Sequence, residues 1–143
     1  MNLFIRSPIT ILPPEMNKKD RQIIHQESGQ VFVERARWCD GFFSKMRGFT
    51  FRRRLEPGEG LVLVENSEGK VSAGVTMLFC FMDLGVVWVN AEGRVVDTAL
   101  AKPWRLSYMP KAPAQYVVET DPSLLELIAE GDYLRFTRLS EPN

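Results

Sequence analysis

"LGVVWVNAEGRVVDTALA", residues 84–101, decides the fold. Leu84 to Asn90 is an apolar run of strand length, Ala91-Glu92-Gly93 turns the chain, and Arg94 to Ala101 carries it back. A strand, a short glycine-containing turn and a second strand form an antiparallel pattern, and no crossover helix fits between them.

The same pattern extends on both sides of this stretch. Upstream, Pro57-Gly58 stands at the favoured centre of a type II turn. Gly60 to Val64 follows, with four consecutive apolar residues that suit a strand buried on both faces. Asn66 to Lys70 reads as a turn, and Val71 to Phe81 as a returning extended segment. Earlier, Ile23-Ile24 and Val31-Phe32-Val33 flank Glu27-Ser28-Gly29-Gln30 as a hairpin. Asp40 looks like a helix N-cap, with Phe42, Phe43, Met46 and Phe49 at helical spacing, so a short helix is expected at about 40–47, closed by Gly48. Downstream, Lys102 to Ala114 is a Pro-rich loop holding Trp104 and Tyr108, and Tyr116 to Glu119 is a strand. Asp121, Pro122, Leu124, Leu125, Ile128 and Gly131 then mark a second short helix at about 122–130. Tyr133 to Leu139 is the last strand. The expected class is mainly β (α+β): a compact antiparallel barrel or sandwich of seven to nine strands with two short helices.

With 143 residues, 45% hydrophobic and 25% charged, the chain has room for one core and not two. Residues 1–20 read as an N-terminal extension and 21–143 as a single β domain. Eighteen basic side chains balance eighteen acidic ones, so no long-range field recruits nucleic acid or an anionic membrane, and neither is expected as a partner. The longest apolar stretch, Val75 to Val89, contains Asp83 and falls short of a bilayer span. Arg6 and Pro8 interrupt the apolar start of the chain, which is read as uncleaved. A soluble, cytoplasmic protein with reduced Cys39 and Cys80 is expected. Two cysteines and one histidine are too few for an ordinary four-ligand zinc site, and no metal or cofactor is expected.

Several stretches, in order and spacing, resemble the uncharacterised DUF192 family from about Val31 to Phe136. They are "MRGFTFRRRL" (46–55), "GLVLV" (60–64), "GVTMLFCFMDLGVVWVNAEGRVV" (74–96), "QYVVET" (115–120) and "GD" (131–132). Arg47, Gly48, Phe51 and Arg52 match the family's R-G-x-x-F-R segment, Gly60 its next glycine, and Met77 its W-M-K-N-T methionine. Leu78, Phe79 and Cys80 replace that motif's polar triplet, Asp83 falls at its proline, and Gly85 falls at its aspartate. The resemblance implies a compact, mostly β domain and no established reaction.

Catalytic templates are absent: there is no G-x-S-x-G, H-E-x-x-H or phosphate-loop spacing. His25 is read as non-catalytic, because a general base also needs a nucleophile and an orienting partner beside it. Of the carboxylates, Glu119 stands out at a strand end within the matched "YVVE", suited to pairing with Arg47 or Arg52. Arg53 and Arg54 match nothing in the family and are read as solvated, balanced by Glu56 and Glu59. Trp88 is read as core, and Trp104 with Tyr108 as a contact surface.

These residues point to a non-enzymatic domain that binds a small ligand or a protein through a groove bordered by Arg47, Arg52, Met77, Trp104 and Glu119. The alternative is a hydrolase or transferase centred on Asp83 or Glu119. Two facing carboxyl groups, or one strongly desolvated beside an arginine, would favour the enzyme.

Overall fold

A computed structural model of the chain describes residues 19–41, 55–56 and 58–139. Seven strands form one sheet: β1 (Arg21–His25), β2 (Val31–Cys39), β3 (Glu59–Gly69), β4 (Leu84–Val89), β5 (Val95–Ala101), β6 (Ala114–Thr120) and β7 (Leu134–Arg138). Their order across the sheet is β5-β4-β6-β3-β2-β1-β7.

The stretch that opened the sequence reading is the β4–β5 hairpin, paired antiparallel from Leu84↔Ala101 to Val89↔Val95. Gly93 makes its turn at φ 91°, a left-handed conformation that a side chain would strain. The turn also closes the sheet on itself. Leu134 N–H donates to the Gly93 carbonyl at 2.8 Å, and Val95 N–H donates to the Asp132 carbonyl at 2.8 Å. With the Arg94↔Tyr133 bridge, these contacts join the two outer strands at one end, so the sheet curls into a partly closed barrel. No second sheet is needed, and the sandwich alternative falls away.

One pairing departs from the antiparallel expectation. Strands β2 and β3 run parallel, from Arg35↔Glu59 to Cys39↔Leu63. A parallel pair needs a crossover of about a dozen or more residues, and the 40–58 connection is long enough. The helix expected at about 40–47 lies, beyond Asp40 and Gly41, outside the described residues, as do Gly48 and residues 1–18.

Three other segments differ from expectation. Strand β3 runs on to Gly69, pairing Gly69 with Ala114 past a bulge, so the expected turn at 66–70 is strand and the chain turns after it. Val71 to Phe81 is a loop with a single bridge, Val75↔Tyr108. The helix expected over 122–130 is a five-residue 3-10 turn, Pro122–Glu126. Asp121 caps it as expected, its side chain accepting from Ser123 N–H at 2.8 Å. It ends early because the Asp132 carboxylate takes Ala129 N–H at 2.9 Å, drawing the chain out of helical pairing, and Leu127 is left 54% exposed. Gly85 lets this turn pack on β4, since a Cβ there would meet the Asp121 carbonyl oxygen at 3.0 Å.

The barrel interior is filled by all seven strands, including Ile23, Ala36, Val62, Val87, Val95, Val118 and Leu134. The opposite face of β2, β3, β4 and β6 is not left to solvent. Ala73, Val75, Met77 and Cys80 from the 70–83 loop cover it, packing with Cys39, Leu61, Leu84, Val86, Trp88 and Val117. β4 is therefore buried along its whole length, which is why its sequence is a continuous apolar run with no alternation. Trp88 is core, as expected, and its indole N–H donates to the Ala73 carbonyl at 2.7 Å. Among the described residues no helix is long and apolar enough to cross a membrane.

Candidate functional site

The layer over the outer face is made by two loops, 70–83 and 102–113, stitched together by backbone hydrogen bonds. Val75 and Tyr108 exchange both N–H···O bonds, at 2.9 and 2.8 Å, and Met77 N–H donates to the Arg105 carbonyl at 2.9 Å. The Met77 carbonyl accepts twice, from Cys80 N–H at 3.0 Å and from Trp104 N–H at 2.9 Å. One peptide group therefore ties the two loops at the point where they meet.

The residues around that tie are aromatic, and two are strained. Phe79 has φ 62° and Trp104 φ 68°; bulky L-residues rarely adopt this region, at a cost of roughly 1–2 kcal/mol each. Trp104 packs edge-to-face on Phe79 with ring centroids 5.2 Å apart, and on Phe81 at 5.4 Å. These contacts do not bury the cluster: Trp104 is 47% exposed, Phe79 44% and Phe81 38%. Met77, in contrast, is wholly buried beneath.

Glu119 lies on the same outer face, because residues alternate along β6 and its neighbour Val118 points into the barrel. It is in register with Leu61 on one side and Val86 on the other, and Leu61 is in register with Arg37. Glu119 is thus a carboxyl in a row of apolar cross-strand neighbours, and among the described residues no hydrogen bond reaches its side chain. Burial pushes it up to about 7, with Arg37 pulling in the opposite direction. Cys80, between the two phenylalanines, is linked to it: burial first, and the Glu119 charge second, raise the Cys80 thiol.

Of the five groove residues expected from sequence, Met77 and Trp104 meet at the tie between the loops, and Glu119 lies on the outer sheet face that the 70–83 loop covers. Arg47 and Arg52, and with them any pair they form with Glu119, lie outside the described residues. The described charge that acts on Glu119 is Arg37, beyond the point where the sequence reading ended its strand. Asp83 does not join this centre; it makes a surface ion pair with Lys102 Nζ at 2.8 Å. Trp38 packs half-buried between Tyr116 and Phe136, with Arg21 over its ring at 4.7 Å. Sequence reasoning missed Phe79, Phe81 and Cys80 as site residues. The only signal for Phe79 and Cys80 was that they replace part of the polar triplet of the family motif, and Phe81 had none.

Comparison with known proteins agrees with this architecture. The DUF192 family profile, described as "Uncharacterized ACR", matches residues 23–136. A UPF0127 protein of Pyrococcus furiosus is 34% identical over 119 residues, covering 82% of this chain and 99% of that one. A UPF0127 protein of Thermococcus kodakarensis is 32% identical over 121 residues, covering 83% and 75%. A crystal structure of a protein of unknown function from Novosphingobium aromaticivorans shares the fold, with TM-score 0.70, 21% identity and coverage of 87% and 94%. On the profile match and these relatives, the chain belongs to the DUF192 family.

Proposed function

We propose that this domain binds a small ligand, without covalent chemistry, at the surface where Trp104, Phe79 and Phe81 stand over Met77, Cys80 and Glu119. The observation that carries the reading is the pair of left-handed aromatics, Phe79 and Trp104, whose rings stay half exposed. Strain of this kind persists where surrounding structure enforces it and clusters at ligand sites. Here the doubly accepting Met77 carbonyl is what enforces it. The chemistry suits a ligand with a flat or apolar body for the rings and a hydroxyl or cationic group for Glu119. Arg47 and Arg52, which match the family's R-G-x-x-F-R segment, are proposed to add anion-binding forks to this groove. Two buried, unbridged thiols suit a reducing, cytoplasmic setting.

One observation favours the second reading, an enzyme with Glu119 as its polar centre. A carboxyl pushed up to about 7 can both take and give a proton near neutrality. The surface ion pair of Asp83 with Lys102 argues for Glu119 over Asp83 as that centre. A thermal-shift screen of the purified protein against sugars, nucleotides and anions separates the outcomes. A ligand at ~100 times its dissociation constant adds roughly 2.7 kcal/mol. The binding reading expects a hit that is lost in Trp104→Ala and released unaltered. A hit turned over by the wild type but not by Glu119→Gln supports the enzyme instead, and a hit indifferent to both substitutions overturns the site.

A further inference from the structure

His25 was set aside on sequence for want of a nucleophile and an orienting group, and the fold supplies both. Its Nδ1 lies 2.7 Å from Ser28 Oγ, and its Nε2 lies 3.4 Å from Asp132 Oδ2. The hydrogen-bond pattern fixes the direction of the first contact. Ser28 N–H donates to Nδ1 at 3.3 Å, so Nδ1 is the acceptor nitrogen and the neutral ring carries its proton on Nε2, facing Asp132. Gln30 N–H donates to Ser28 Oγ at 3.2 Å, which leaves the Ser28 hydroxyl proton to point at Nδ1. Ser28 therefore donates to the imidazole, and the Asp132 carboxylate stands at ion-pair distance from the other ring nitrogen, which is the arrangement that activates a serine nucleophile, with the two ring nitrogens exchanged relative to the usual one.

The parts are held rigidly and the serine is accessible. His25 N–H donates to the Gln30 carbonyl at 2.8 Å, and Gly29 N–H donates to the His25 carbonyl at 2.8 Å, closing the turn. The imidazole packs against Phe32 of β2 at 5.2 Å between ring centroids. Asp132 is fixed by Ala129 N–H at 2.9 Å and belongs to the segment that closes the barrel. Ser28 itself is exposed.

We infer that Ser28, His25 and Asp132 form a nucleophilic site, separate from the aromatic groove, that accepts acyl or phosphoryl groups from esters with good leaving groups. Ser28 Oγ attacks the carbonyl carbon or phosphorus, and the new O–C or O–P bond forms as the bond to the leaving group breaks. The hydroxyl proton passes to His25 Nδ1, and Asp132 holds the resulting imidazolium. The Ser28 and Gln30 N–H groups are already committed to this relay, so they do not serve a developing oxyanion. The acceleration is then that of general-base catalysis, and the leaving group must need little help.

Diisopropyl fluorophosphate tests this directly, since it supplies its own leaving group: the P–O bond forms, the P–F bond breaks and fluoride departs. Tryptic mass spectrometry is expected to find a single adduct on Ser28, forming about a hundredfold faster than on the exposed Ser67 and Ser107. His25→Gln should remove that advantage. Asp132→Asn should slow labelling about tenfold and Asp132→Glu should restore part of the rate, because the Asp132 carboxylate is the described charge that faces the imidazole and holds the imidazolium formed as Ser28 reacts. A merely structural Asp132 would leave the labelling rate of folded Asp132→Asn unchanged. Circular dichroism confirms that each variant is folded. If His25→Gln is not, the wild type decides alone, by whether Ser28 is labelled faster than Ser67 and Ser107. Labelling of Ser28 no faster than of Ser67, or unchanged in folded His25→Gln, overturns the inference.

Discussion

Replacing Glu119 by glutamine keeps its shape and removes its titration, and the structure fixes the sign and size of the effect. Burial raises the carboxyl from an ordinary 4.5 to about 7. The folded state thus holds the proton more tightly than the unfolded chain. The protonated group's contribution is fully present below pH 4.5, is lost as the pH rises through about 7, and stays lost above it. Each tenfold difference in proton affinity is about 1.4 kcal/mol, so the charged carboxylate costs the fold about 3 kcal/mol at pH 8. Glu119→Gln escapes this cost and should be more stable than the wild type by about that amount at pH 8, with the advantage nearly gone at pH 4.5. With a urea dependence of about 2 kcal/mol per M, the unfolding midpoints would differ by roughly 1.5 M at pH 8. Urea titrations of both proteins at the two pH values read the difference directly. A glutamine variant less stable than the wild type at pH 8, or an offset independent of pH, would refute the account of a carboxyl whose desolvation outweighs the attraction of Arg37.

Three further outcomes test the frame around the site. Phe79→Gly should melt above Phe79→Ala by about 1 kcal/mol, since both lose the ring and only glycine relaxes at φ 62°; equal melting would show that this backbone is not strained. Gly93→Ala, whose Cβ would sit 2.9 Å from the Leu134 carbonyl oxygen at φ 91°, should destabilise by more than ~1 kcal/mol and speed hydrogen exchange at the Leu134 amide. Unchanged exchange there would contradict the closure of the barrel. Asp121→Ala should cost about 1 kcal/mol at pH 7 through loss of the cap. Hydrogen bonds from Ser123 hold that carboxyl below its usual range, so the loss should shrink as the pH falls through the folded value, which denaturation at pH 7 and pH 2.5 would show.

What could be read from sequence followed what is local. The β4–β5 hairpin was legible because the turn at Gly93 and the apolar run beside it lie within eighteen residues. The Asp121 cap was legible for the same reason. The parallel pairing of β2 with β3 was not, because nothing in Arg35 to Cys39 names a partner across the 40–58 connection. Asn66 to Gly69 looked like a turn by composition, yet pairing with Ala114 keeps it in the strand. Glu119 and Met77 were found through the family motif, and Trp104 through its Pro-rich loop. Phe79 could not be found this way, since aromatics are among the residues least expected at positive φ and only tertiary hydrogen bonding to Met77 places the loop there. The His25 relay was hidden because Asp132 is 107 residues from it in sequence and reaches it only when β7 pairs with β1.

The central claim, that binding occurs where the two loops meet over Glu119, is tested most directly by a ¹H–¹⁵N NMR titration with the strongest hit from the thermal-shift screen. The account predicts that the largest shift changes fall on Met77 to Phe81, on Trp104 with its indole N–H, on Arg105 and on Glu119, saturating together with one dissociation constant. Largest changes on residues 26–30 or along β5, with the Trp104 indole unmoved, would contradict it.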